Sequence, residues 1–193
     1  MKVNNREMYV MTTPPHIRTV KYDFRHDDLD ETKEYKIPLP GFCWIIIVDY
    51  NPTNNKRNYI HGMVYALKNQ ILSENDQLYR FPFANVDERW MCWGKRNDYP
   101  TIGKSKSIMT IPDQFLNNPT NNHLDHSKYE PFVAEVNGSE IRLQKTSHLF
   151  DYLAKEQAKA EEDGKDASFK YDVLRKHTTL DNAINHYTER FLL

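Results

Sequence analysis

With 193 residues, 26 basic against 27 acidic side chains and a formal net charge of −1, the chain has no overall basic excess to suit it to nucleic acid or an anionic membrane. Two cysteines cannot make a disulfide framework, and the longest apolar run, residues 42–48, is far short of the roughly 18 residues that a membrane span needs. The length suffices for one domain with a real core, to which 12 Tyr, 9 Phe and 3 Trp bring large buried areas.

The first ten residues lack an apolar leader, so the expected location is the cytoplasm, where Cys43 and Cys92 stay reduced. Residues 7–13 and 17–24 have strand composition, split by Pro14-Pro15, and an acidic loop follows. Residues 42–50 are β-branched and aromatic and too short for a typical helix; their continuous apolarity predicts a strand covered on both faces. A turn cluster after it predicts a hairpin returning through 59–67. Residues 78–83 read as extended, because Pro82 disfavours helix at Phe81. Thr110-Ile111-Pro112-Asp113 opens a short helix. Residues 132–144 form a hairpin turning at Asn137-Gly138. Ser147 is the expected cap of a helix over 149–162 that Gly164 stops, and a last helix starts at Thr179 or Asp181.

Several motifs weigh little. Gly103-Lys104-Ser105 lacks the upstream glycine of a phosphate-binding loop, since that position is Asp98. His123 and His126, with Asp125 between them, have metal-ligand types but no supporting spacing and read as a polar loop. Cys43, inside the apolar strand, reads as a small buried hydrophobe. Cys92 differs: Arg89, Lys95 and Arg96 lie close in sequence, and nearby cations favour the thiolate.

The ordered set Ile37-Pro38-Leu39-Pro40, Tyr65-Ala66-Leu67-Lys68, residues 78–86 with Pro82, Phe83 and Asn85, Cys92-Trp93-Gly94 and residues 115–124 resembles a prokaryotic E2-like family. This is the bacterial branch of the ubiquitin-conjugating fold that includes protein B of the PRTRC plasmid-type system. The resemblance covers roughly residues 36–126. It implies an α+β fold: an antiparallel β-meander sheet with helices on one face, plus C-terminal helices. Taken with the strand-like first 35 residues, where classical members begin with a helix, and the helical end, the expected organisation is an E2-like domain over 1–146, with an N-terminal strand extension, and a helical segment packed on it over 147–193. In function it implies an acyl carrier: Cys92 holds a ubiquitin-like protein as a thioester and Asn85 stabilises the oxyanion. An acceptor for the incoming amine's proton completes the site, and His123 or Asp125 can supply it if their loop folds over Cys92. An E1-like activating enzyme and the ubiquitin-like protein are the implied partners, with no cofactor or metal. Phe83-Ala84 stand where eukaryotic enzymes carry His-Pro, and the Asn85-to-Cys92 spacing is one residue shorter. The alternative reading is a non-catalytic phage- or plasmid-encoded assembly module with Cys92 packed between Trp90, Trp93 and Tyr99.

Overall fold

The computed structural model describes residues 2–3, 5–27, 31–54, 56–71, 73–87, 90–93, 107–121, 132–136, 139–143 and 145–192. The chain is α+β. An antiparallel sheet of six strands runs in the order β1 (Lys2–Val3), β2 (Arg6–Thr13), β5 (Gly41–Asn51), β6 (Lys56–Leu67), β7 (Gln77–Arg80), β10 (Lys176–Thr179). The central hairpin β5–β6 pairs Gly41 with Leu67 through Asn51 with Lys56, with one irregularity at Ile47/Val48. Every residue from Gly41 to Val48 is buried, which is why this strand shows no alternation: both of its faces are covered.

One face carries Phe42 and Trp44, whose rings lie 5.7 Å apart. Phe81 packs on Phe42 at 5.3 Å, and Phe115 of helix α1 (Ile111–Asn117) packs on Trp44 at 6.0 Å. Beyond them lie the hairpin of β3 (His16–Asp23) and β4 (Thr32–Leu39) and the helix α2 (Thr146–Glu162). Phe150 of α2 joins these layers, 5.4 Å from Tyr35 and 4.8 Å from Phe83. The opposite face, through His61 and Tyr65, is covered by helix α3 (Leu180–Phe191).

The expected strand 59–67 starts three residues earlier, at Lys56. Helix α1 begins where Pro112 predicts it. Gly164 takes φ +69° just past α2, and its N–H donates to the Glu161 carbonyl. Ser147 does not cap α2: the helix already starts at Thr146, with Lys145 at the N-cap. Strand β4 went unseen because Pro38 and three charges interrupt it, although Tyr35, Ile37 and Leu39 alternate inward. Strands β8 (Phe132–Val136) and β9 (Ser139–Leu143) form the expected hairpin, whose turn residues Asn137-Gly138 lie outside the described residues. Among the described residues no helix is long and apolar enough to cross a membrane.

Candidate functional site

After β7 the chain turns into the core. Phe81, Pro82, Phe83 and Ala84 are all buried, and the two phenylalanine rings meet edge to face at 5.1 Å. Phe81 also contacts Phe115 at 6.0 Å, so the residues entering the site are held by β5, α1 and α2 together. Burying two aromatic rings fixes the path of the segment that delivers Asn85.

Asn85 then starts a small hairpin. The Cys92 N–H donates to the Asn85 carbonyl at 2.8 Å, and the Asp87 N–H donates to the Trp90 carbonyl at 3.0 Å. Between them Val86 and Met91 form an antiparallel bridge. The Met91 N–H also donates to the Gly62 carbonyl at 2.9 Å, which pins the returning strand to β6. Gly62 permits that approach. A Cβ there would stand 2.7 Å from the Tyr59 hydroxyl and 3.0 Å from both Ile46 Cδ1 and Met91 Sδ. Trp93 locks the far side: its Nε1–H donates to the Tyr59 hydroxyl at 3.0 Å, and its ring lies 5.1 Å from that of Phe115.

This framework decides how Cys92 is presented. Met91 and Trp93 are both 4% exposed, and Cys92 between them is half-buried, as alternation along an extended strand requires. Trp90, before Met91, is 53% exposed. Cys43 is the opposite case, fully buried, with its thiol pushed up to about 12 by burial. It behaves as the small hydrophobe that its strand context predicts.

Residues 1–152 match the family model of prokaryotic E2 family D. The chain belongs to that family. No curated protein and no solved structure matches it.

In this E2-family chain the sequence-derived pair Asn85 and Cys92 stand directly opposite each other in the hairpin. The contact is made by the Asn85 main chain, not by its side chain as a turn asparagine would suggest. The Asn85 side chain is 8% exposed, and its Oδ1 accepts no hydrogen bond among the described residues. His123 and Asp125, the candidate proton acceptors, lie outside the described residues, as do His126, the Gly103-Lys104-Ser105 segment, Tyr99 and the cations Arg89, Lys95 and Arg96. Two members of the site gave no signal in the sequence. Gly62 is remote in the chain and matters only for the space it leaves. Asp87 looks like an ordinary turn residue until residues 85 and 87 are set against 92 and 90.

Proposed function

We propose that this protein is an E2-like acyl carrier. Cys92 accepts the C-terminus of a ubiquitin-like protein as a thioester and passes it to an amine. The observation that carries this reading is the placing of a half-buried Cys92 directly opposite a buried Asn85 on a hairpin bolted to the sheet.

In the forward step the Cys92 thiolate attacks an activated acyl group supplied by a separate E1-like enzyme. The Asn85 amide N–H is the donor for the oxyanion that develops on the acyl carbon, held in place before the reaction begins. In the second step an amine attacks the thioester, and Cys92 leaves as the thiolate. Family membership points to protein partners; the specific ones proposed are the activating enzyme and the ubiquitin-like protein.

Native-state alkylation gives the first test. With iodoacetamide at neutral pH, Cys92 labels at least about 100-fold faster than Cys43, because only Cys92 is reachable and burial holds the Cys43 thiol protonated. Equal slow labelling of both thiols in the folded protein would support the assembly-module reading instead. With the genomic partners and ATP, wild-type protein forms an adduct that thiol reagents cleave, and Cys92→Ala forms none.

A further inference from the structure

The stretch of β6 that holds the Cys92 hairpin also carries the seat of helix α3. Tyr59 pairs with Val48 and His61 with Ile47, so Ile60 is an extra residue on β6 and the strand is bulged there. The bulge lies inside the run 59–62 from which the hairpin hangs. On one face of the sheet the Tyr59 hydroxyl accepts from the Trp93 Nε1–H at 3.0 Å, and the Gly62 carbonyl accepts from the Met91 N–H at 2.9 Å. Cys92 is the residue between those two anchors. On the other face His61 is 9% exposed beneath α3. Its ring stacks on Phe191 at 4.5 Å and lies 5.4 Å from that of Tyr187.

We propose that His61 is a positioning residue for Cys92, through which α3 sets how the thiol is presented. The assignment rests on the carrier reading above only for what Cys92 does with its thiol. A regular antiparallel strand is fixed by its ladder one residue at a time. A bulge interrupts the ladder, and the local bend and twist then depend on what packs against it. Tyr59 and Gly62 stand on either side of the extra residue, so a change of bend at Ile60 alters the spacing of the two anchors. They are packed too closely to absorb it: a Cβ at Gly62 would stand 2.7 Å from the Tyr59 hydroxyl.

Helix α3 supplies the restraint that the interrupted ladder lacks. Its last turn is itself tied down, since Arg6 of β2 donates to the Phe191 carbonyl at 2.6 Å and the Arg190 guanidinium lies 5.3 Å from the Phe191 ring. One turn earlier the Tyr187 hydroxyl lies 3.4 Å from that of Tyr65. The restraint therefore runs from β2 through the end of α3 onto His61, and through β6 to Met91 and Trp93. It is a continuous chain of packed groups with one adjustable link, the bulge. Drawing the last turn of α3 off the sheet loosens Cys92 without touching it.

Native-state alkylation of the full chain with iodoacetamide reads this coupling and needs no partner. Labelling is followed at each thiol, with buried Cys43, which faces Tyr65 in the same sheet, as the reporter of wider opening. Phe191→Ala and His61→Ala each make Cys92 label about three- to tenfold faster, the effect of losing one aromatic stack, while Cys43 stays slow. The double variant labels no faster than either single one, because both cut the same link. His61→Phe keeps a ring against Phe191 and restores the rate to within about twofold of wild type. Leu180→Ala removes a buried side chain at the far end of α3; it lowers the urea midpoint and leaves the Cys92 rate alone. No acyl transfer is measured, so a wild-type protein that forms no adduct with its partners counts against the carrier reading and is a separate result. An unchanged Cys92 rate in Phe191→Ala overturns the assignment, even where His61→Ala does not fold. So does an equal acceleration in Leu180→Ala, because lost stability then accounts for the effect. A Phe191→Ala protein in which Cys43 and Cys92 accelerate together overturns it as well, because the helix then leaves as a whole and positions nothing.

Discussion

Asn85 shows how a single residue separates structure from chemistry. Its main chain builds the hairpin, through the carbonyl that accepts from Cys92, and any residue supplies that carbonyl. Its side chain is buried with an oxygen that has no partner among the described residues. Asn85→Ala therefore removes an unsatisfied dipole along with some packing, and the two effects oppose each other. The expected change in unfolding free energy by urea titration is within about 0.5 kcal/mol of zero. Discharge of loaded Cys92, in contrast, should fall by about 100-fold or more, the range seen when one oxyanion donor is lost. A stability loss above about 1 kcal/mol would mark the side chain as a brace rather than a donor. The sequence made Cys92 visible through its neighbouring cations and its resemblance to a family motif, and Asn85 through that resemblance alone. The residues between them, Asp87 to Trp90, are polar or irregular enough to read as loop, so the facing register that brings the two together was not legible. Asp87 was invisible for the same reason.

Among the elements, those with continuous apolarity or strong boundary residues were readable: β5, β6, α1, and the end of α2 at Gly164. Strand β10 was not, because Lys176, His177 and two threonines carry no apolar face and bond to a four-residue partner. That short pairing anchors helix α3. Thr179 caps the helix, its Oγ1 accepting from the Asn182 N–H at 3.4 Å, at one of the two starts that the sequence predicts. It ends on Arg6, which donates to the Phe191 carbonyl at 2.6 Å and places a cation at the negative end of the helix. Between these ends Tyr187 is 2% exposed and lies 5.4 Å from His61, while Phe191 stacks on His61 at 4.5 Å. The helix is thus a working part of the core, although the family match stops at residue 152, inside α2. Tyr187→Ala should lower the unfolding free energy by about 3–5 kcal/mol, as for other buried rings, and shift the urea midpoint accordingly. A loss below about 1 kcal/mol would show that α3 rests on the sheet without stabilising it.

At the scale of the whole molecule, the seam between α3 and the sheet collects acids that ionise only on unfolding. Cys43 and Tyr65 face one another across β5 and β6, and the Tyr65 hydroxyl lies 3.4 Å from that of Tyr187. Burial pushes the Cys43 thiol from 9.0 up to about 12. It also raises both phenols above 10.0, and Tyr65 is raised further by Tyr187 beside it. The folded state therefore holds protons that the unfolded chain releases once the pH passes about 9 for the thiol and about 10 for the phenols. Stability must fall with rising pH wherever the native state binds more protons than the unfolded one. This contribution is complete below those unfolded values and is lost as the pH climbs through the folded ones. The urea midpoint should accordingly stay level with respect to these groups up to about pH 9 and fall steeply above about pH 10. Tyr65→Phe removes one of the three protons and keeps the ring, so it should flatten the fall while costing about 1 kcal/mol near neutrality for the lost hydroxyl contact. An alkaline slope identical in the wild-type and Tyr65→Phe proteins would mean that the phenols reach solvent in the folded state. The seam would then be open, and α3 would leave the sheet before the domain unfolds.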